Sequence, residues 1–386
     1  MGQINGQQKI EQAEKNMPVL KELVNQCFSR RPLREKRIAA CLHITKETAV
    51  LLKALAGMGA EVYACGSNPL STQDDIAEEL NKIEKIKVFA KHGQSQDEYW
   101  QSLEEVAKVC PHIVIDDGAD LIMYLHEHEE YQKNLAFAQE ETTTGIQRIK
   151  ALEKKEGLKF PIFLINETPT KRLFDNVYGT GQSTIDGIIR ATNVLIAGKT
   201  FVIAGYGHCG KGLAQRAKGM GANVIITEID PVKALQAHMD GFRIMPMSLA
   251  APLGDIFVTV TGNMNVIARE HMEQMREGSI LANSGHFDCE INVKDAKEFP
   301  KLKLLAEGRL VNLAEAEGHP SEVMDMSFSN QFLCAVNGGK FETLRNKSYD
   351  ITGKYDEIIA SLKLKSMGVE IDKLTEEQIN YLNSYA

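Results

Sequence analysis

Six short polar clusters in this sequence contain the residue types that move protons in enzymes: histidines, carboxylates, a lysine and hydroxyl groups. The clusters are His43-x-Thr45-x-Glu47, Asp116-Asp117, Glu140-Glu141-Thr142-Thr143-Thr144, Lys171-x-x-x-Asp175-Asn176, Asn283-x-Gly285-His286 and Gly318-His319. Gathered beside a redox cofactor, such side chains suit the removal of a proton coupled to the transfer of a hydride. The chemistry therefore depends on whether the fold brings the clusters together.

Each cluster also has a plainer interpretation when it is taken alone. The alternatives are a helix start for His43 and Glu47, a turn for Asp116-Asp117-Gly118, first-turn helix charge for Glu140 and Glu141, and a solvated ion pair for Lys171 and Asp175. The prediction of catalysis therefore comes from the set as a whole and not from any one member.

Two further features suggest chemistry but favour a structural role. His126-x-His128 has the spacing of a metal site, but its acidic neighbours favour a solvated helix, and we predict no metal. Cys209 lies at a predicted helix start, which can lower the pKa of a thiol. Packing is the favoured role for this cysteine.

Residues 201–230 predict a binding site for an adenine dinucleotide. An apolar run leads into Gly205-x-Gly207-x-x-Gly210, a helical stretch follows, and a second apolar run ends before Glu228. Such glycines allow a tight turn, a close approach to the pyrophosphate and close packing of helix against strand. Glu228 stands where a carboxylate accepts hydrogen bonds from the ribose hydroxyls, which favours NAD over NADP.

The elements around these clusters alternate between strands and helices. In the first half, the predicted strands are 37–42, 61–65, 86–90, 112–115 and 161–165, and the predicted helices are 45–57, 71–82 and 97–109. This alternation predicts an α/β fold with two doubly wound parallel-sheet domains, the second a Rossmann dinucleotide-binding domain, plus a short C-terminal helical tail. Ligands of such sheets bind beyond the carboxyl ends of the strands, where the polar clusters fall.

The predicted domain boundaries follow from this pattern. Residues 1–179, completed by about 318–341, form a substrate-binding domain, and 180–317 form the NAD-binding domain, entered through a long helix over 180–197. Residues 342–386 form a tail too small for its own core, so it packs on the body or on a neighbouring subunit. Ser71-x-x-Asp74 and Thr375-x-x-Gln378 each predict a capped helix start.

The composition excludes several classes of partner. The 386 residues carry a net charge of −8 with 43% apolar residues, which argues against a nucleic-acid or acidic-membrane partner. The polar N-terminus is not a secretory signal. Seven cysteines without a C-x-x-C pair predict reduced thiols in a cytoplasmic protein.

Longer motifs give the sequence a family resemblance that spans roughly residues 18 to 385. HITKETAVL, GSNPLSTQDD, EETTTGIQRI, FDNVYGTGQSTIDGIIRATN, NSGHFDCEI and LAEGRLVNLAEAEGHPSEVMD resemble S-adenosylhomocysteine hydrolases. The resemblance implies a tightly held NAD that takes hydride from the ribose 3′-carbon. Loss of the C4′ proton, expulsion of homocysteine, addition of water and return of the hydride then follow.

The resemblance also implies catalytic roles. The residues that match the family's catalytic groups are His43, Asp117, Glu141, Lys171, Asp175 and His286. The lysine, with Glu141 and Asp175, is implied to hold the ribose hydroxyls, and Lys171 to help remove the 3′-hydroxyl proton. Asp117 is implied to act as acid and base near C4′ and C5′, and the two histidines to handle the leaving thiol and the incoming water.

Binding roles are implied in the same way. The matching cofactor contacts are Thr142, Thr143, Thr144, Asn176, Gly205, Gly207, Gly210, Glu228 and Asn312, and the matching contacts to the purine are Thr45, Glu47, His319 and Met324. His319 also resembles a gate over the substrate channel. The small molecule is then a nucleosidyl-homocysteine, and the assembly is a homo-oligomer, a tetramer by resemblance.

Some features depart from many members of the family. The chain ends at Ala386, where relatives carry a longer extension, and it resembles the short form of archaeal and thermophilic members. Thr180 replaces a cysteine, and Glu317 replaces an apolar residue near the purine. Three alternatives stay open: the same chemistry on S-inosyl-L-homocysteine, a plain NAD dehydrogenase, and a non-catalytic NAD-binding regulatory homologue.

Overall fold

The computed structural model describes residues 4–338 and 344–385, and this part of the chain folds around two parallel sheets. In chain order the strands are β1 (Arg37–Cys41), β2 (Glu61–Cys65), β3 (Ile86–Phe89), β4 (Ile113–Asp116), β5 (Phe137–Glu140), β6 (Ile162–Leu164), β7 (Thr200–Ala204), β8 (Asn223–Thr227), β9 (Arg243–Ile244), β10 (Ile256–Thr259), β11 (Ile280–Asn283), β12 (Lys303–Leu304) and β13 (Ser348–Asp350). The first sheet has the order β13-β6-β5-β4-β1-β2-β3 and the second β12-β11-β10-β7-β8-β9. These sheets confirm the predicted fold class.

Helices connect the strands and cover both sheets. They are α1 (Gly6–Asn16), α2 (Pro18–Cys27), α3 (Lys46–Gly57), α4 (Asp74–Leu80), α5 (Gln96–Ala107), α6 (Asp120–Glu127), α7 (Thr143–Lys155), α8 (Pro169–Arg172), α9 (Thr180–Thr192), α10 (His208–Gly219), α11 (Pro231–Met239), α12 (Met247–Ala250), α13 (Arg269–Met272), α14 (Val293–Ala296), α15 (Val311–Ala314), α16 (Ser321–Val336), α17 (Asp356–Ser366) and α18 (Glu376–Leu382). None of the helices in the described ranges is long and apolar enough to cross a bilayer.

Both sheets reverse their strand order at one point, and that point positions the candidate site. The order turns between β1 and β4 in the first sheet and between β7 and β10 in the second. Connections on the two sides of such a point leave in opposite directions, so a crevice opens beyond the carboxyl ends of the strands. Cys41, Asp116, Ala204 and Thr259 end these four strands. The clusters that follow them therefore face two crevices.

The strands are apolar runs because helices cover both faces of each sheet. Ile38 and Ile115 belong to the core on one side of the first sheet, and Ala39 and Val114 to the core on its other side. The second sheet is covered in the same way. Each fully buried Ile, Leu, Val or Phe contributes about 1.5–3 kcal/mol relative to an exposed side chain. The central strands thus form a rigid base for the loops.

Two expectations about the first half are wrong. Strand β5 was not predicted, because its sequence Phe-Ala-Gln-Glu lacks an apolar run, and yet Gln139 and Glu140 are wholly buried in it. Ser71 does not cap a helix: α4 begins at Asp74 without a side-chain cap, and the Ser71 hydroxyl donates to the Asn68 carbonyl instead.

The connection between the sheets also differs from its prediction. A π-helical turn over Asp175–Gly179 precedes α9, and α9 ends at Thr192 because Asn193 adopts a left-handed conformation with φ of 52°. The predicted helix over 180–197 is therefore five residues too long at its C-terminal end. The π turn places Asp175 and Asn176 at the junction of the sheets, and both are buried.

The C-terminal part contributes a strand to the first sheet. Strand β13 pairs with β6, and α17 packs on α2 and α16 and buries Ile359. The predicted boundary at 341–342 lies outside the described residues. Thr375 and Gln378 form the predicted capping box of α18, and every residue of that helix is exposed.

Candidate active site

One cavity of about 1740 Å³ lies where the two sheets meet. It is lined by all the predicted catalytic residues and most predicted binding residues: His43, Thr45, Asp117, Glu141, Thr142, Thr143, Thr144, Lys171, Asp175, Asn176, Gly205, Gly207, Glu228, His286, Asn312, His319 and Met324. Gly210 and Glu47 are the two predicted site residues that do not line it. The fold therefore brings together clusters that are far apart in the chain.

The glycine loop after β7 has the geometry that a dinucleotide needs. Gly205 has φ of +105°, and a Cβ there would lie 2.9 Å from the carbonyl oxygen of Val260. A Cβ on Gly210 would lie 2.0 Å from the Gly205 carbonyl oxygen. Gly210 therefore packs against the loop and does not line the cavity. The space beside Gly207 holds no protein atom within 4 Å. A pyrophosphate can approach the backbone at that point and meet the N-terminus of α10.

Glu228 follows β8 and lies at the rim of this loop. Its carboxylate accepts backbone hydrogen bonds from Tyr206 at 2.7 Å, Ile229 at 2.7 Å and Asp230 at 3.0 Å. These bonds fix the acid beside the glycine turn, facing the cavity. Such a carboxylate can accept further bonds from a ribose diol and repels a 2′-phosphate.

Asn312 also offers the cavity a polar group that a bound dinucleotide could satisfy. Its side chain is 2% exposed and donates to Ser183 Oγ at 3.1 Å, but its Oδ1 has no hydrogen-bond partner. A buried amide oxygen without a partner costs free energy unless a ligand donates to it. The loop glycines, Glu228 and this unpartnered oxygen together fit an adenine dinucleotide.

A buried ionic cluster forms around Lys171, at the junction of the sheets. The Lys171 Nζ lies 2.6 Å from Asp175 Oδ2, 2.8 Å from Asn176 Oδ1 and 3.6 Å from Glu141 Oε1. Burial alone lowers the pKa of this lysine, but the charges of Asp175 and Glu141 outweigh it and hold the pKa above its usual value. Lys171 is therefore a protonated donor in this arrangement.

The two carboxyl groups beside Lys171 titrate differently. Burial raises the pKa of Glu141 to about 7, and the neighbouring lysine opposes that rise only in part. Burial also acts to raise the pKa of Asp175, but His319 and Lys171 hold it below its usual range. The imidazole of His319 donates to Asp175 Oδ1 at 2.5 Å. One carboxyl is thus fixed as an anion, and the other can exchange a proton near neutral pH.

Opposite this cluster, two histidines face one aspartate. Asp117 Oδ2 lies 3.6 Å from His43 Nε2, and Asp117 Oδ1 lies 3.7 Å from His286 Nδ1. Burial lowers the pKa of His43 to about 4 and also lowers the pKa of His286, so both rings are neutral at pH 7. Neutral imidazoles beside a carboxylate can accept and return protons.

The turn that carries Asp117 is held by two buried carboxyl groups. Asp116 accepts from the Asp117 backbone N–H at 2.9 Å, and Glu140 accepts from Gly118 and Thr142 at 2.9 Å each. Burial raises the pKa of Asp116 to about 7 and that of Glu140 well above its usual value. The sequence-adjacent pairs Asp116-Asp117 and Glu140-Glu141 thus divide into one supporting and one cavity-facing residue each.

Several supporting residues were not predicted. Ser71 and Ser67 hydroxyls contact His43 Nδ1 at 2.7 and 3.1 Å. Ser327 Oγ and Gln331 Nε2 donate to the Glu141 carboxylate. A signal existed for the second pair, because the stretch Ser-Phe-Ser-Asn-Gln in α16 mixes polar residues into an otherwise apolar helix. Polar residues buried in a helix need internal partners.

Other expectations need correction or refinement. Glu47 is 1% exposed and accepts from Ser321 Oγ at 2.6 Å, outside the cavity lining. Glu317 pairs with Lys46 at 3.3 Å and is half exposed, and it does not line the cavity either. Burial raises the pKa of Cys209, contrary to the activation considered for a helix start.

The His126-x-His128 pair shows no metal geometry at its first histidine. Both ring nitrogens of His126 are engaged, Nδ1 with the Ile122 carbonyl at 2.8 Å and Nε2 with the Lys159 backbone N–H at 3.2 Å. A ring nitrogen that already accepts a hydrogen bond has no lone pair to offer a metal ion. The structural interpretation of this pair is therefore favoured.

Comparison with known proteins places this arrangement in context. The family model described as S-adenosyl-L-homocysteine hydrolase matches residues 3–139, and the one described as its NAD binding domain matches residues 176–303. The chain is 54% identical to an adenosylhomocysteinase of Aquifex aeolicus, over 98% of this chain and 96% of that relative. It is 52% identical to an adenosylhomocysteinase of Sulfurisphaera tokodaii, with the same coverage. An S-inosyl-L-homocysteine hydrolase of Methanocaldococcus jannaschii is 50% identical, again over 98% of this chain and 96% of the relative.

Proposed function

This chain belongs to the S-adenosyl-L-homocysteine hydrolase family, and from that premise we propose that it reversibly hydrolyses S-adenosyl-L-homocysteine to homocysteine and adenosine with bound NAD. One observation carries the proposal: the Lys171 cluster and the His43–Asp117–His286 group line the same cavity as the glycine loop and Glu228. A thioether carbon is inert to water unless a neighbouring carbon is activated. Groups for oxidising a sugar and groups for moving protons must therefore share one site.

Bound NAD would supply a reversible acceptor for the hydride of the ribose 3′-carbon. The chain's own part in this step belongs to the Lys171 cluster. Lys171, held protonated by its carboxylate neighbours, donates to the 3′-oxygen and stabilises the negative charge that develops there. Glu141, with a pKa near 7, is the group suited to accept the hydroxyl proton. Lys171 then acts as a donor, which refines the role that the family resemblance implied.

The second group of residues would perform the elimination and the addition of water. A 3′-ketone acidifies the C4′ proton, and Asp117 would take that proton. His43 and His286 flank that carboxylate and are neutral, so either ring can accept the C4′ proton from Asp117, pass it to the departing sulfur and then take a proton from the incoming water. Both rings and the carboxylate are largely buried, which keeps bulk water from the reactive sugar.

The proposal is tested by mixing the purified protein with S-adenosyl-L-homocysteine and following free thiol with a thiol reagent. Stoichiometric thiol release with only a transient absorbance of reduced nicotinamide supports it. Lasting accumulation of NADH would indicate a plain dehydrogenase, and binding without thiol release would indicate a regulatory homologue.

The purine base is the finer question, and we propose adenine. Thr45 and Met324 line the cavity, and the relatives that are 54% and 52% identical to this chain are both named adenosylhomocysteinase, which supports the adenosyl substrate. The 50% identical relative named for the inosyl substrate supplies the second candidate. Comparing kcat/KM for S-adenosyl-L-homocysteine and S-inosyl-L-homocysteine decides between the two bases. A higher value for the inosyl substrate would reverse the assignment.

Replacing Glu228 by alanine is expected to weaken NAD binding by about 10- to 100-fold, the range for losing hydrogen bonds to a charged group. NADP binding should not weaken in the same way, because the change also removes the repulsion between the carboxylate and the 2′-phosphate. Calorimetry with both dinucleotides checks this, with the exposed Glu270→Ala as control. Equal losses for NAD and NADP would mean that Glu228 only supports the loop through its backbone contacts.

We further propose a homo-oligomer, a tetramer by family resemblance, in a reducing compartment such as the cytoplasm. Helix α18 exposes Ile379 and Leu382, which supports burial against another subunit. All seven cysteines lie in the described part of the chain, and none of them forms a disulfide there. Light scattering of the purified protein gives the mass, and a monomer at micromolar concentration would contradict the first part.

A further inference from the structure

Arg148 contacts the loops that carry Asp117 and His286, and neither the sequence patterns nor the family motifs assigned it a role. It lies within α7, in the unit of the first sheet, and its side chain is 32% exposed. Its Nη1 donates to the Gly118 carbonyl at 2.5 Å and to Asp120 Oδ1 at 2.7 Å. Asp120 also accepts from the Tyr99 hydroxyl at 2.7 Å, which fixes the carboxylate that orients the guanidinium. Arg148 therefore holds the turn that carries Asp117.

The other side of the same guanidinium meets the unit of the second sheet. Its central carbon lies 5.3 Å from the ring centroid of Phe287, within the range of a cation–π contact. The Phe287 ring stands nearly perpendicular to the imidazole of His286, with the centroids 4.7 Å apart. Asn283 Nδ2 donates to the Phe287 carbonyl at 2.8 Å and ties this loop to the end of β11. Arg148 thus touches the residue next to each of two acid–base groups.

The two loops approach each other very closely between these contacts. Gly118 has φ of +108°, and a Cβ at that position would lie 2.2 Å from His286 Nε2. The backbone of one unit therefore packs directly on the imidazole of the other. Because Gly118 and His286 pack without spare room, a small shift of either loop would change the distance between Asp117 and His286. A group that contacts both loops is therefore needed to set that distance.

We propose that Arg148 is a positioning residue for the acid–base step, which sets Asp117 against His286 by holding Gly118 and Phe287 at the same time. The inference rests on the proposed function, because it assigns the two groups to elimination and water addition. A planar guanidinium can donate along its edge and stack with its face, whereas an ammonium can do only one of these well. The Lys171 cluster, which acts on the 3′-oxygen, has no contact with Arg148 among the hydrogen bonds and ion pairs of the described residues.

Loss of Arg148 should therefore slow the elimination and water-addition half of the reaction and leave the oxidation half unchanged. In Arg148→Met, kcat for thiol release is expected to fall by about 10- to 100-fold, since a misplacement of about 1 Å can cost that much. Oxidation of the substrate should proceed at the parent rate, so the reduced-nicotinamide absorbance should accumulate to a higher level. KM should change by less than about threefold, because the residue does not contact the cavity's binding groups.

The experiment measures both half-reactions by stopped flow in four proteins: the parent, Arg148→Met, Phe287→Leu and the double variant. Each single variant should slow thiol release, and the double variant should be no slower than Arg148→Met, because the two changes break one contact. Arg148→Lys should resemble Arg148→Met. The matched control is Arg269→Met, which removes a similar guanidinium that lies 5.5 Å from the Phe299 ring and pairs with Asp295, away from the cavity.

Three results would overturn the inference. These are parent-like thiol release in Arg148→Met, equal slowing of oxidation and thiol release, and multiplicative effects of the Arg148 and Phe287 changes. If Arg148→Met does not fold, Arg148→Lys and Phe287→Leu carry the same test. Failure of the parent protein to release thiol would count against the proposed function and not against the placement of Arg148.

Discussion

Replacing Asp117 by asparagine is expected to lower kcat for thiol release by about 100- to 10,000-fold, the range in which a positioned acid or base contributes to catalysis. The carboxylate lies 3.6 Å from His43 Nε2 and 3.7 Å from His286 Nδ1. Asparagine keeps the size of the side chain but can neither take up nor release a proton there. NAD affinity should be unchanged, because the glycine loop and Glu228 belong to the second sheet.

This variant should also stop the reaction at a defined place. The Lys171 cluster is intact, so the substrate is still oxidised, and the reduced-nicotinamide absorbance rises and stays high while no thiol appears. Asp97→Asn, an exposed change on α5, serves as the control and should behave like the parent. Parent-like thiol release by the Asp117 variant would remove this residue from the proposed mechanism.

Replacing Lys171 by methionine is expected to block the earlier step, with about a 100- to 1000-fold loss in the rate of substrate oxidation, which is what losing a donor to a developing oxyanion costs. The methionine removes the ammonium group that contacts both Asp175 and Glu141. Neither the reduced-nicotinamide absorbance nor thiol should appear when substrate is added in a single turnover.

The Lys171 and Asp117 variants therefore differ in a qualitative way, since only the Asp117 variant should accumulate oxidised substrate. A stability control is needed because unpaired buried carboxyl groups destabilise a fold. Circular dichroism at the assay temperature and the exposed Lys82→Met variant, which loses a surface pair with Glu79, provide it. A folded Lys171 variant that still oxidises substrate would contradict the role given to the cluster.

Much of this site was accessible from the sequence because its groups follow strands with clear apolar patterns. His43 follows β1, Asp117 follows β4 and the glycine loop follows β7. Each of these strands is an uninterrupted apolar run except for one polar residue at one of its ends. Parallel strands covered on both faces produce such runs, and their carboxyl ends meet by necessity. The glycine spacing was equally informative, since Gly205 and Gly210 leave no room for a Cβ.

The parts that were missed depend on partners distant in the chain. Strand β5 carries Gln139 and Glu140 into the interior, where Glu140 Oε1 accepts from the backbone N–H groups of Gly118 and Thr142. No local pattern distinguishes such a strand from the charged start of a helix. Arg148 is similar, because its role arises only where α7 meets the loop after β11. Local propensity cannot report a contact between two units of the fold.

The protonation states were also beyond the sequence. Lys171 and Asp175 stand four apart, which by itself suggests a weak surface pair. In the structure both are almost fully buried beside Glu141, and burial raises the pKa of that carboxyl to about 7. The same residues at the same spacing thus have a different chemistry once water is excluded.

The most direct measurement of the central claim compares thiol release by the protein before and after its dinucleotide is removed. Stripped protein, confirmed to be folded and free of NAD, should release no thiol from S-adenosyl-L-homocysteine, and added NAD should restore the parent rate. Thiol release at the parent rate by the stripped protein would show that the thioether is cleaved without oxidation of the sugar.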